Sequence, residues 1–442
     1  MDRCLMIVGG GLAGAETAWQ AAQQGIKIRL YEMRPKKMTP AHKTPYLAEL
    51  VCSNSLKAEG LDTAAGLLKE ELKQLGSLIM QIAEQSRVPA GSALAVDRKT
   101  FAEQVTAALE THPNIAIHRE EVTVLPPEQV VIIASGPLTS DPLAQYLSQL
   151  TGEKNLHFYD AISPIIDGES IDYNKTFFAS RYDKGGKDYL NCPLNKEEYD
   201  RLVQELIHAG KVLPRDFEQR AFFEACLPIE ELASRGREAL AYGPLKPVGL
   251  KYPGSNKTPY AVVQLRKENL QASHYNLVGF QTKLTYPEQK RVFRLIPGLE
   301  RGEFFRFGSL HRNTFINAPK LLLKTLQLRI RLNWFFAGQI TGVEGYLESV
   351  ATGLLAGINA ARLIQGKELT VPKDITALGA LVAYLTQANP SSFQPMNFNY
   401  GLLPPLEVRI KNKREKKNLL ALRALKAIEE WQHEIKLVIS HY

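Results

Sequence analysis

Two sets of residues in this sequence have types and spacings that could do chemistry. The first is its thiols. Cys52 sits in "ELVCSNSLKAEG", residues 49–60, among small polar neighbours and close to Lys57. Such a setting can keep a thiol accessible and reactive, since the thiolate is the nucleophilic form and a nearby cation favours it. Cys226, in "FEACLPIEELASRG", precedes a proline and an acidic stretch. Cys4 opens an apolar run and reads as a small buried hydrophobe, and Cys192 in "YLNCPLN" reads as structural. Spacing does not say whether Cys52 and Cys226 meet.

The second set is glycine-rich. Gly9, Gly11 and Gly14 complete G-x-G-x-x-G in "GGGLAG", after the apolar run "LMIV" and before the helical pattern "AETAWQAAQQG". In that context the first glycine permits a tight turn, the second lets a pyrophosphate reach backbone N–H groups around Leu12 and Ala13, and the third lets helix and strand pack closely. Glu32 ends the next strand-like run, "IKIRLYE", 18 residues beyond Gly14, where a carboxylate can accept hydrogen bonds from ribose hydroxyls. An acid there speaks for FAD or NAD and against a 2′-phosphate. A second strand-to-glycine-to-helix element appears late, in "AGQITGVEGY", with Gly338, Gln339, Gly342, Gly345 and Tyr346. A first domain interrupted and then completed this way matches a two-part FAD site, with a helix over residues 346–363 aiming its positive end at the ring. A plain packing helix of small residues, with Tyr346 merely packed, is the competing reading.

These groups need elements to hold them. Strand, turn, helix and strand over residues 5–32 form a βαβ unit, and "VVIIASG" at 130–136 reads as a buried parallel strand. Residues 64–86 read as one amphipathic helix, residues 99–109 as another, and "NIAIHREEVTVL" as a strand pair. The fold expected is α/β: a Rossmann-like, doubly wound FAD-binding domain (1–154), interrupted by an inserted α+β domain for substrate (155–320) rich in Tyr, Phe, Pro and charge, then completed by 321–442. Residues 408–426 form a basic helical tail with eight Lys/Arg against one Glu.

At 442 residues and 45% apolar content the chain can bury large cores. Net charge is +8, favouring anionic partners such as nucleic acid or simply a solvated basic surface. Four dispersed cysteines with no CxxC suggest neither a metal site nor a disulfide framework, and fit a reducing cytoplasm. No run approaching 18 apolar residues is evident, so no membrane association is expected.

"ELVCSNSL", "ALAVDR", "FFEACLPIEELASRG", "GSLHRNTFINAP", "AGQITGVEGYLESVATGLLAGINAAR" and "FQPMNFNYGLLPP" together resemble the folate- and FAD-dependent tRNA (uracil-5-)-methyltransferases, over nearly the whole chain. The resemblance implies methylation of the T-loop uridine, position 54 of tRNA, to ribothymidine. It implies 5,10-methylenetetrahydrofolate as carbon donor, leaving tetrahydrofolate, with FAD as carrier and reductant and NADH or NADPH as the electron source. The family's two essential cysteines map onto Cys52 and Cys226. We assign Cys226 as the nucleophile at uracil C6 and Cys52 as proton acceptor or flavin-side partner, with the reverse assignment open. Tyr346 falls where the family's glycine-rich segment abuts the flavin. His311 and Arg312 are candidates for folate, although a lone histidine is as readily a satisfied core residue. For tRNA phosphates the candidates are Arg409, Lys411, Lys413, Arg414, Lys416 and Lys417. Oligomeric state stays open, a monomer included. The rival readings are the related GidA-type wobble-uridine flavoprotein and an FAD-dependent oxidoreductase of a small metabolite.

Overall fold

In the computed structural model, residues 4–153, 156–183, 186–212 and 227–437 are described. A six-stranded sheet runs in the order Gln327–Leu328, Arg331–Phe336, Val131–Ile133, Cys4–Val8, Lys27–Tyr31, Ile115–His118. All its pairs are parallel except the short edge hairpin. Parallel strands buried on both faces read as continuous apolar runs, and Cys4–Val8 and Val131–Ile133 are wholly buried. The late strand Arg331–Phe336 thus returns beside Val131–Ile133, two positions from the glycine turn.

Helix Leu12–Gln23 lies against helix Tyr346–Ile364. The two approach closely because Gly353 and Gly357 stand where side chains would collide: a Cβ on Gly353 would lie 2.4 Å from the Ala13 carbonyl oxygen. Thr17 Oγ1 also donates to the Gly353 carbonyl at 2.9 Å. Tyr346–Ile364 is long and apolar enough by composition to cross a membrane, yet 89% of its most apolar 18-residue window is buried inside the protein, as in a core helix of this sheet.

Two local expectations are corrected. The single helix over 64–86 is two, Ala64–Gln74 and Leu78–Gln85. Gly76 at φ +74 ends the first, and the Ser77 hydroxyl accepts from Met80 N–H to start the second. The strand pair in "NIAIHREEVTVL" is one strand, Ile115–His118, after which the chain runs as an irregular wall of the cleft described below.

A second, antiparallel sheet is ordered Phe177–Ala179, Tyr189–Leu194, Ala261–Lys267, His274–Leu277, Ile165–Asp167, Phe304–Arg306. Helices Lys196–His208, Ile229–Ser234 and Tyr286–Phe293 contribute to its separate core, which includes Tyr199, Leu202, Phe280 and Phe293. Cys192 is buried there. The chain enters this region along Leu156–Ile162 and leaves along Ser309–Phe315, and these two strands pair antiparallel as a ribbon. The last helix, Lys413–Leu437, is docked rather than loose: Leu420, Ala421, Ala424, Ile428 and Trp431 are buried.

Candidate active site

The glycine turn and the N-termini of both packed helices open into one cleft of about 1010 Å³, counting its open mouth. Its walls include Gly9, Gly11, Leu12, Ala13, Glu32, Gly338, Gln339, Tyr346 and Ser349. The three motif glycines differ in what surrounds them. Gly9 is at φ +105 with its Cβ position 2.4 Å from the Ala134 carbonyl oxygen, and a Cβ on Gly14 would lie 1.8 Å from the Gly9 carbonyl oxygen. Gly11 alone meets nothing within 4 Å. Turn, open approach and close packing are the three demands a dinucleotide makes of this motif. Gly11 is also the N-cap of Leu12–Gln23 without a side-chain cap, as is Gly345 for Tyr346–Ile364. Both helix ends therefore present backbone N–H groups suited to phosphate or an anionic ring. The cleft fits FAD.

Glu32 lines the cleft but is already engaged. Its carboxylate accepts from Gly10 N–H at 2.9 Å and from Arg34 through N–H, Nε and Nη2 at 3.0, 2.9 and 3.2 Å. That fills the four acceptor positions of a carboxylate. Burial pushes Glu32 upward, and Arg34 outweighs it, holding the group below the usual carboxylate range. Arg34 also binds Glu49 at 3.1 Å. Arg34 was not singled out from the sequence; its position two residues beyond the ribose acid was the available signal.

Cys52 is half-buried on a loop gripped from several sides. The Tyr346 hydroxyl accepts N–H donors from Cys52 at 2.8 Å and Ser53 at 3.2 Å. Arg306 donates to the carbonyls of Val51 at 3.1 Å and Cys52 at 3.3 Å. Arg98 donates to the Leu50 carbonyl and pairs with Glu268 at 2.8 and 3.1 Å. Arg266 reaches Asn54 Oδ1 and Ser53 Oγ, both at 2.7 Å. Burial, reinforced by Cys52, raises the Tyr346 phenol well above its usual range, so it is neutral. Burial and the neighbouring Arg98 lower Arg306 to about 10, leaving it charged at pH 7.

At the far end of the loop Lys57 Nζ donates to Asn397 Oδ1 at 3.0 Å and lies 3.5 Å from Glu348 of the returning helix. "CSNSLK", "GYLE" and "PMNF" are therefore neighbours in space. Arg98, Arg266, Arg306 and Glu348 were not singled out from the sequence, and Lys57 only as a cation near Cys52, because contacts between groups far apart along the chain leave no motif.

His311 lies on Ser309–Phe315, half-buried, with Nε2 2.8 Å from Ser309 Oγ. Burial, then Arg306 and Lys43, lower it to about 4. His42, on the cleft wall, is lowered to about 4 by burial and Arg34, with His311 contributing. Both imidazoles are therefore neutral at pH 7, His42 on the cleft wall and His311 close enough to act on it electrostatically. The Arg312 backbone pairs with Tyr159 in the same ribbon. Gly342 packs on Phe393, and Gln339 Nε2 donates to Glu344 at 2.8 Å. Cys226 lies outside the described residues. Of the basic tail, Lys417 donates to the Asp62 carbonyl at 3.1 Å and lies over the Tyr400 ring, and Arg414 is 3.8 Å from Asp62. Lys413 and Lys416 are exposed on the same helix, and Arg409 and Lys411 precede it. Among the described residues no His/Cys/Asp/Glu cluster could hold a metal.

The family model for glucose inhibited division protein A matches residues 4–368. A Geobacter sulfurreducens protein named methylenetetrahydrofolate–tRNA-(uracil-5-)-methyltransferase is 59% identical over 98% of this chain and 99% of its own length. The Aquifex aeolicus protein of that name is 56% identical over 99% and 98%. The chain belongs to this methyltransferase family, within the GidA group. The resemblance carried by "ELVCSNSL" and "FQPMNFNYGLLPP" is thereby borne out, as is the expected α/β FAD-binding fold. Aquifex aeolicus GidA shares that fold at a TM-score of 0.70 and 18% identity, over 98% of this chain and 75% of the other.

Proposed function

We propose that this chain is a folate- and FAD-dependent tRNA (uracil-5-)-methyltransferase acting on C5 of the T-loop uridine, position 54. The observation that carries the reading is the hydroxyl of Tyr346, at the cleft-facing end of its helix, holding the Cys52 backbone: it puts a thiol-bearing loop at the edge of a dinucleotide cleft. When bound, FAD supplies the carrier and reductant for a carbon taken from 5,10-methylenetetrahydrofolate, and NAD(P)H recharges it.

The chain's own part is to make uracil C5 nucleophilic. A thiolate adds to C6, moving the C5–C6 π electrons onto C5 and O4; after C5 takes the carbon, a base removes the C5 proton and the C6–S bond breaks, returning the thiolate. Cys226 is proposed as the C6 nucleophile and Cys52 as the proton acceptor or cofactor-side thiol. Arg98 and Arg306, fixed on the carbonyls around Cys52, would stabilise negative charge on its sulfur. Neutral His311 is proposed to face folate together with Arg312. The target uridine must leave its stack to reach the cleft. The partner proposed is tRNA, with phosphates met by the basic start of the last helix, in the cytoplasm. We place the division of the chain at 154 and 320, the ribbon forming the junction.

The test is methylation of a T-loop transcript with labelled methylenetetrahydrofolate and NADPH, by the purified flavoprotein and by Cys52→Ala and Cys226→Ala. Label at uridine C5, lost in both variants, supports the reading. Flavin reduction with no label in RNA rejects it for a small-substrate oxidoreductase or wobble-uridine enzyme.

A further inference from the structure

The inserted sheet's edge strand Phe304–Arg306, which contains the arginine that holds Cys52, begins a group of rings that runs from the sheet's core, where Phe304 packs, out to solvent. Phe304 and Phe307 lie parallel, with centroids 4.9 Å apart and planes 13° apart. Tyr286, the first residue of helix Tyr286–Phe293, continues this stack on Phe307 at 4.7 Å and 17°. Tyr286 is 55% exposed, so the stack ends on a ring that solvent reaches. Lys290, exposed one turn along, places Nζ 5.9 Å from the Phe307 centroid.

Phe305 is a second, independent sign. Phe304 pairs with Ile166 and Arg306 with Ile165, so Phe305 is an extra residue in a bulge. Bulges re-aim a side chain, and this one turns out a phenyl ring that is 66% exposed and rests on His274 at 4.0 Å. A phenylalanine so exposed gains little from burial. Large planar faces left open beside a cation suit unpaired nucleobases, which stack on aromatic rings while the cation meets the phosphate.

We propose that Tyr286 and Phe305 are stacking platforms for unpaired nucleotides flanking the target uridine, with Lys290 taking an adjoining phosphate. This rests on the methyltransferase reading for its RNA substrate. Continuity with the site fixes the choice of occupant: Arg306 follows Phe305 and precedes Phe307, and its guanidinium donates to the Cys52 carbonyl. A strand of RNA stacked there is delivered to the thiol loop, and the stack fixes its position when the uridine swings out.

The experiment is binding of a labelled T-arm hairpin by the FAD-loaded protein, with Tyr286→Ala, Phe305→Ala, Tyr286→Trp, Phe305→Trp and Lys290→Ala. Each alanine at a ring position is expected to weaken binding by roughly 5- to 150-fold without changing the salt slope, as loss of one stacked base does. Tryptophan restores affinity, and Lys290→Ala lowers the salt slope by about one. An unchanged flavin spectrum and NADPH oxidation rate confirm that the variants are folded. If the unsubstituted protein binds and methylates the hairpin while both ring-to-alanine variants bind within two-fold of it, the stacking surface is wrong and the methyltransferase reading stands. If the unsubstituted protein neither binds nor methylates the hairpin, both fall.

Discussion

Replacing Tyr346 with phenylalanine removes one oxygen and little else. That oxygen accepts the N–H groups of Cys52 and Ser53. The ring would stay in its half-buried seat, so the flavin cleft should survive. A buried donor left without its acceptor costs about 1–3 kcal/mol. Both donors lie on a half-buried loop, so we take the lower end for each and expect about 2 kcal/mol in all, released as displacement of the loop. Expressed at the transition state, about 2 kcal/mol is roughly a 30-fold loss of kcat. Arg98, Arg266 and Arg306 still hold the neighbouring carbonyls and side chains, so the loop should loosen rather than unfold. The assay is single-turnover methylation of a T-loop transcript, paired with hydrogen exchange at the Cys52 and Ser53 amides and a flavin spectrum. Turnover within about three-fold of the unsubstituted protein, with unchanged exchange at both amides, would refute the claim that Tyr346 positions the thiol loop.

Other expectations follow from the same geometry. Gly14→Ala would drive a methyl group to 1.8 Å from the Gly9 carbonyl oxygen, so the protein should purify without flavin or fail to fold, as absorbance near 450 nm, roughly the flavin maximum, would report. Arg34→Met leaves Glu32 and Glu49 buried without their cation and should cost about 3–5 kcal/mol by denaturant titration. The intact pair stabilises the fold above the ordinary carboxylate value of 4.5, a contribution lost as pH falls below it. His42 and His311 work in the window above that: each is held at about 4 against 6.5, so the unfolded chain binds more protons and stability declines as pH drops from 6.5 towards 4. His311→Gln should flatten that decline, measured by chemical denaturation at several pH values.

What the sequence made legible was whatever depends on local geometry. G-x-G-x-x-G announces itself because turn, approach and packing each forbid a side chain at a fixed spacing, and the late "AGQITGVEGY" repeats the order of strand, glycines and helix with a different glycine spacing. Gly76 and Ser77 were equally visible as a helix stop and start, yet the leucines on either side continued the period and masked the break. The grip on Cys52 was invisible for another reason. Arg98, Arg266 and Arg306 lie up to 255 residues from the groups they hold, and such contacts impose no spacing along the chain. Glu32 shows the converse: the sequence offers it as an acid for ribose hydroxyls and it lines the cleft, whereas the filling of its acceptor positions by Arg34 and the Gly10 N–H depends on side-chain conformation. His311 was found through resemblance alone.

The bond between Tyr346 and Cys52 joins residues 294 apart. During synthesis, therefore, the cysteine leaves the ribosome long before Tyr346 can position it. The first βαβ unit and its glycine turn can form early, but the strand that completes the sheet and the helix that closes the cleft arrive only after the inserted region has been made. Contacts this distant are slow to form, because a long loop must close before they are rewarded. A nascent chain thus carries its thiol for most of its synthesis with only part of the site around it, and the reactive arrangement is completed late. Loading of flavin into the two-part cleft should accordingly follow, and report, completion of the fold.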